Sequence, residues 1–97
     1  MRLINLLFEY DYDDVDVVLV PDYIAENIES VTQLYHKWTW DDKTHFGWKK
    51  APDGHMYVEC GTELFLWWLN NYFREYGEST LVEAHTKYVP EYPTADF

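Results

Sequence analysis

The chain has 97 residues, of which 47% are hydrophobic and 20% aromatic, and its 18 acidic and 7 basic side chains give a formal net charge of −11. This length predicts a single domain, residues 1–97, with enough apolar side chains to form a core. The charge argues against direct binding to nucleic acid or to an anionic membrane, because both are negatively charged themselves. It favours a partner protein with a basic surface, a cation, or no charge-driven partner at all.

The negative charge is concentrated in the first half of the chain. Residues 1–42 hold ten acidic side chains against Arg2 and Lys37, a net charge of −8. Cys60 is the only cysteine, so an internal disulfide is excluded, as is usual in a reducing compartment. The apolar N-terminal run is too short for a signal peptide, and no run approaches the roughly 20 residues of a membrane helix. We therefore expect a cytoplasmic protein.

The first half of the chain predicts two strands and a helix. Apolar and polar side chains alternate from Leu3 to Tyr12, which is typical of a strand with one buried and one solvated face, and Asn5 falls on the solvated face. Val15–Val20 is β-branched and predicts a more central strand, joined to the first by a short acidic turn. The helix begins at Asp22, which can cap it, and ends near Trp38–Trp40.

The second half predicts a hairpin, a helix and a final strand. Segments His45–Ala51 and His55–Cys60 flank Pro52-Asp53-Gly54, the strongest turn signal in the sequence. The highly aromatic segment Thr62–Tyr76 predicts a helix that Thr62 caps. Its expected buried face consists of Phe65, Trp68, Leu69, Tyr72, Phe73 and Tyr76. Thr80–Val89 predicts the last strand, before an irregular tail.

The predicted elements follow the order ββαββαβ. This order predicts an α+β fold, a two-layer sandwich in which two helices pack on one face of a mostly antiparallel sheet.

Acidic residues between the first two strands are the most distinctive surface feature. On an extended strand, Glu9, Asp11 and Asp13 would share one face at a spacing of about 7 Å. Such a row could bind a cation, although the EF-hand pattern is missing, or dock on a basic groove in place of nucleic acid. Duplex DNA carries a charge about every 1.7 Å of axis, so mimicry would need further acids on the same surface. The alternative is a solvated strand face that prevents aggregation.

Trp67 projects from the polar face of the predicted aromatic helix. A tryptophan in this position is typical of a protein–protein contact, unless Tyr92 or Phe97 of the C-terminal tail covers it. The candidate partner-binding residues are Asp11, Asp13, Asp14, Asp16, Glu26, Glu29 and Trp67.

No motif predicts a catalytic, metal or cofactor site. The histidines are scattered without zinc-ligand spacing, although His45 and His55 could face each other across the hairpin. Cys60 lies just before a predicted helix, whose dipole could lower the thiol pKa, but packing in the core is favoured. We therefore expect no cofactor, no metal and no enzymatic activity.

The small size, the acidic charge and the lack of a catalytic motif are similar to those of acidic proteins that phages and mobile elements encode to inhibit host DNA-binding enzymes. This likeness is one of overall profile and assigns no functional residue. It predicts a non-enzymatic module that docks on a basic, nucleic-acid-binding surface. Three alternatives stay open: an immunity protein that neutralises a toxin, a small metal-dependent hydrolase, and a homodimer that buries exposed aromatic side chains.

Overall fold

The computed structural model describes all 97 residues, which form six strands, three α-helices and one 3-10 turn. In chain order these are β1 (Arg2–Leu7), β2 (Val15–Val20), α1 (Asp22–Glu26), α2 (Ile28–Asp41), β3 (Trp48–Lys50), β4 (Met56–Val58), α3 (Thr62–Tyr72), the 3-10 turn (Arg74–Tyr76), β5 (Thr80–Thr86) and β6 (Thr94–Asp96). The predicted α+β class is confirmed. No helix combines the length and the apolar character that crossing a bilayer requires.

Four strands form the main sheet, in the order β5-β2-β1-β6. β2 is antiparallel to both β1 and β5, whereas β6 runs parallel to β1. The predicted hairpin forms, but β3 and β4 pair only with each other and make a separate two-stranded sheet. The sheet is therefore mostly antiparallel, as predicted, and the hairpin lies outside it.

The helices pack on one face of the main sheet. Tyr35 of α2 is fully buried among them, and its ring lies 5.0 Å from that of Phe65 and 5.3 Å from that of Trp68. The core on this face consists of Ile4, Leu6, Val18, Val20, Ile24, Ala25, Val31, Tyr35, Leu64, Phe65, Trp68, Leu69 and Ala95. Burial of these side chains is the main source of stability, since apolar area contributes about 25 cal/mol per Å² removed from water.

The opposite face of the sheet carries a smaller cluster formed by Leu7, Val15 and Val17, against which Tyr88 and Tyr92 pack. Asn5 lies on this face and is fully buried. Its Nδ2 donates to the Val89 carbonyl oxygen at 2.9 Å, and its Oδ1 accepts from the Val89 amide at 3.2 Å. The prediction that Asn5 faces solvent is wrong, because the C-terminal segment crosses this face of the sheet.

The first strand is shorter than the alternating pattern predicts. Glu9 and Tyr10 adopt left-handed backbone conformations, with φ of 54° and 59°, and the Asp11 amide donates to the Phe8 carbonyl oxygen at 3.1 Å. This turn lies beyond the end of β1 at Leu7. The alternation of apolar and polar side chains continues past the end of the strand, but the apolar side chains there are not buried: Tyr10 is 71% exposed.

The predicted first helix is two helices. A break at Asn27, with φ of −119° and ψ of 27°, separates α1 from α2. α2 then continues to Asp41, beyond the predicted end. Pro21 rather than Asp22 occupies the N-cap position of α1, and Gly61 rather than Thr62 occupies that of α3.

The aromatic helix buries only part of the predicted face. Phe65, Trp68 and Leu69 are buried as predicted, together with Leu64, but Tyr72 and Tyr76 are 52% and 44% exposed. Tyr72 is the last residue of α3, and Tyr76 lies beyond it in the 3-10 turn, where the helical phase no longer applies.

The C-terminal region also differs from the prediction. β5 ends at Thr86 and is an edge strand in which no residue is buried. The tail is not irregular throughout, because Thr94–Asp96 forms β6, and Ala95 is fully buried beside β1.

Candidate partner-binding surface

The acidic loop, defined here as residues 9–14, connects β1 to β2 and carries Glu9, Asp11, Asp13 and Asp14. All four side chains are exposed. They do not form the predicted strand row, because the loop turns: the Asp11 Oδ1 accepts from the Asp13 amide at 3.2 Å, and the Asp14 amide donates to the Asp11 carbonyl oxygen at 3.3 Å. The carboxylates are therefore gathered at one end of the sheet.

Asp16, also predicted as a binding residue, has structural contacts instead of a free carboxylate. It is half-buried in β2, where its Oδ2 accepts from the Thr62 hydroxyl at the start of α3 and its Oδ1 accepts from the His85 amide at 3.0 Å. Asp16 thus joins β2 to α3 and to the edge strand β5. These bonds use both of its carboxylate oxygens.

His85 faces the acidic loop from β5. Its Nδ1 lies 2.8 Å from the Asp14 Oδ1, and its backbone has a left-handed φ of 55°. The hydrogen bond to Asp14, with the charges of Asp14 and Asp16, raises the pKa of His85 above its usual value of 6.5. His85 therefore offsets part of the charge of the loop when it is protonated.

Glu26 lies apart from the acidic loop. Asp14 precedes the first residue of β2, whereas α1, which ends at Glu26, follows its last residue. Six residues of strand span about 20 Å. This separation of about 20 Å applies to Glu26. Glu29 lines a depression with Asp96 of β6, which pairs with Leu7 at the end of β1. The structure thus separates Glu26, at the far end of β2, from the acidic loop.

Most of the acidic side chains have no ionic partner. Asp22 pairs with the Met1 amino group, and Asp53 and Asp14 lie within hydrogen-bond distance of the His55 and His85 rings. None of these contacts involves a lysine or an arginine. Most carboxylates therefore have no basic side chain paired with them, in a chain whose formal net charge is −11.

Trp67 belongs to an aromatic patch, defined here as Trp38, Phe46, Trp67 and Tyr72. The Trp67 ring stacks on that of Trp38 at 5.9 Å and meets that of Phe46 edge-on at 6.2 Å. Trp67 is nevertheless 43% exposed, and Phe46 and Tyr72 are 46% and 52% exposed. Neighbouring aromatic rings, not the predicted Tyr92 or Phe97, provide its partial cover.

Glu59 connects the acidic loop to the aromatic patch. It lines a pocket of about 500 Å³ that also contains Glu9 of the acidic loop. It also lines a smaller depression with Phe46, Glu63 and Lys49, the one basic side chain there. The two ends of the candidate surface are therefore continuous. Sequence patterns did not indicate Glu59, because its position depends on the packing of the hairpin against the rest of the fold.

His45 and His55 have separate environments in the structure. His45 is buried and structural: its Nε2 contacts the Thr39 carbonyl oxygen at 2.8 Å, and its Nδ1 accepts from the Gly47 amide at 3.1 Å. His55 is instead exposed beside Asp53, so the two do not pair across the hairpin. Burial raises the pKa of the Cys60 thiol, the opposite of what a nucleophile needs. No three His, Cys, Asp or Glu side chains are arranged to hold a metal ion.

Comparison of the chain with protein-family models, with curated proteins and with solved structures gives no match.

Proposed function

We propose that the chain is a non-catalytic binding module that docks its carboxylates on the basic, nucleic-acid-binding surface of a partner protein and inhibits that partner. The observation that carries the proposal is the uncompensated charge: no lysine or arginine pairs with an acid, and the acidic loop is exposed. Such a surface attracts a cationic one over about a Debye length, roughly 8 Å at physiological salt.

The acidic loop supports this proposal because it presents several carboxylates on a short segment. Asp11, Asp13 and Asp14 are all exposed and lie within four consecutive residues. Dense negative charge is what a phosphate-binding surface recognises.

The aromatic patch supplies the second part of an interface. Charged groups mainly accelerate association and select the partner, whereas buried aromatic side chains contribute most to affinity. Trp67 and Phe46 are partly exposed and lie on a surface continuous with Glu59. We assign the acidic loop to the first role and these rings to the second, with Glu29 as a further acidic contact and Glu26 as a separate, more distant one.

The proposal includes a cytoplasmic setting and an origin in a phage or mobile element. The origin rests on the likeness in size, charge and lack of a catalytic motif, and the cytoplasmic setting is suggested by the single cysteine, which cannot form an internal disulfide.

The test is the salt dependence of association with a partner isolated by affinity capture and then purified. Raising the salt from about 50 to 500 mM should slow association of the wild-type chain by about tenfold or more. The variant Asp11→Asn/Asp13→Asn/Asp14→Asn should associate more slowly at low salt and depend less on salt. An association rate that is indifferent to salt would overturn the proposal.

A matched control separates the acidic loop from overall charge. The variant Glu75→Gln/Glu78→Gln/Glu91→Gln also removes three exposed charges, but away from the loop. It should associate nearly as fast as the wild-type chain. Equal losses in both triple variants would show that net charge, not the loop, attracts the partner. An immunity protein would give the same result in this assay. It is distinguished by its partner, which would be a toxin and not a nucleic-acid-binding enzyme of the host.

A further inference from the structure

The pocket between the acidic loop and the β3–β4 hairpin has a lining that the charge argument does not explain. It has a volume of about 500 Å³ and is lined mainly by apolar residues, in the range typical of ligand-binding pockets. It lies where the end of β1, the middle of α2, the end of β4 and the last residue of the chain meet.

Stacked rings contribute to this lining. The rings of Phe8 and Phe97 are 5.0 Å apart and nearly parallel, and the His36 ring stacks on Phe97 at 5.7 Å. The Phe97 amide donates to the Leu7 carbonyl oxygen at 3.0 Å, which fixes the C-terminal residue against β1. Tyr57 of the hairpin adds a further aromatic ring to the lining.

Two carboxylates supply the charge of the pocket. Glu9 and Glu59 are exposed, and neither forms an ion pair. The lining contains no lysine or arginine. His36 also lines the pocket, where its ring stacks on Phe97. The pocket thus combines aromatic rings with two carboxylates that form no ion pair.

We propose that this pocket receives an arginine side chain of the basic partner; this inference rests on the proposed function and identifies the group that the partner inserts. A guanidinium is planar and stacks on aromatic rings, and its several N–H donors can reach more than one carboxylate. An anionic ligand would meet two uncompensated carboxylates, and an ammonium group would match the flat rings less well.

The experiment uses a capped pentapeptide with one arginine between glycine and serine residues, titrated into the full chain and followed by NMR. Two matched peptides carry lysine or the neutral isostere citrulline instead. The arginine peptide should shift the amide signals of residues around Glu9, Glu59 and Phe97. Lysine should bind more weakly, and citrulline about tenfold more weakly or not at all. Equal binding of arginine and citrulline would overturn the proposal.

Variants identify the carboxylates. Glu9→Gln/Glu59→Gln should reduce arginine binding about fivefold to tenfold, whereas Glu78→Gln/Glu91→Gln, which carries the same net charge, should stay within about twofold. All four side chains are exposed, so both variants should keep the fold. Unchanged binding in the first variant would refute the pocket assignment.

Cys60, the only thiol, gives an independent measurement because it lines the same pocket. The arginine peptide should slow its alkylation by iodoacetamide, and the citrulline peptide should not. Equal alkylation rates with and without the arginine peptide would contradict occupancy of the pocket.

The partner assay separates the two proposals. Partner binding could depend on salt and on Asp11, Asp13 and Asp14 but be unaffected by Glu9→Gln/Glu59→Gln. In that case the pocket inference fails and the proposed function stands. If the arginine peptide binds in the pocket but no partner associates in a salt-dependent manner, the proposed function fails instead.

Discussion

Replacing Asn5 tests how the C-terminal segment is held in place. Asn5 is fully buried in β1, and its Nδ2 donates to the Val89 carbonyl oxygen at 2.9 Å and lies within 3.3 Å of the Thr94 hydroxyl. Its Oδ1 accepts from the Val89 amide at 3.2 Å. The substitution Asn5→Ala removes all of these bonds and leaves a small void beneath the segment that leads to β6 and Phe97.

The magnitude follows from the groups left unpaired. The Val89 amide and carbonyl both lose a partner in a half-buried position, and each unsatisfied group costs about 1–3 kcal/mol. Because Val89 is half-buried, water can partly replace the lost bonds, and we expect a decrease of about 2–4 kcal/mol in the free energy of unfolding. With a urea m-value of about 1–2 kcal/mol/M, the midpoint should fall by roughly 1–4 M.

Urea denaturation followed by tryptophan fluorescence measures this change. The matched control is Asn71→Ala, because Asn71 is exposed and its Nδ2 bonds only the Trp67 carbonyl oxygen in its own helix. Its stability should change by less than about 0.5 kcal/mol, since alanine favours the helix. If Asn5→Ala is no more destabilising than Asn71→Ala, the bonds of Asn5 do not hold the C-terminal segment.

Two further predictions concern the hairpin junction and the acidic loop. Gly47→Ala should lower the free energy of unfolding by about 1–3 kcal/mol, because a Cβ at this position would lie 2.5 Å from the Leu64 Cδ2. The control Gly61→Ala should be close to neutral, because its Cβ would meet no atom within 4 Å. Equal unfolding midpoints for the two variants would contradict this prediction. Asp14→Asn should lower the His85 pKa toward 6.5, measured by NMR titration. Because the folded-state pKa is raised, the stabilisation by this pair is fully present below pH 6.5 and is lost as the pH rises through the raised pKa. An unchanged His85 titration would show that Asp14 does not hold the imidazole.

The parts of the fold that were predictable from sequence are those set by local patterns. The β-branched run Val15–Val20 forms a strand, and the Pro52-Asp53-Gly54 turn closes a hairpin. Periodicity located α3 and three of its four buried side chains. The local preferences and the tertiary packing agree in these segments.

The parts that were not predictable depend on contacts between distant residues. Asn5 has a polar side chain in an alternating segment, and only the crossing of the C-terminal segment buries it. The strand pattern also continued through Tyr10 although the backbone turns at Glu9. An alternating sequence specifies strand propensity but not the residue at which the chain leaves the sheet.

The candidate surface was predictable only in its charge. Asp11, Asp13 and Asp14 were selected from composition and are exposed together, whereas Asp16 is hydrogen-bonded to Thr62 and the His85 amide. Glu59 and the pocket could not be found from sequence, because their position requires the hairpin, α2 and the last residue to meet. Whether any of these residues binds a partner stays a prediction.

The most direct test of the central claim is displacement of nucleic acid from the purified partner by the chain, measured by fluorescence anisotropy at increasing salt. We predict that the wild-type chain displaces the nucleic acid, and that Asp11→Asn/Asp13→Asn/Asp14→Asn requires a several-fold higher concentration. The difference between the two chains should shrink as salt rises, because screening weakens the contribution of exposed carboxylates. A ternary complex in which the nucleic acid stays bound, or displacement that the triple variant achieves equally well, would contradict the account.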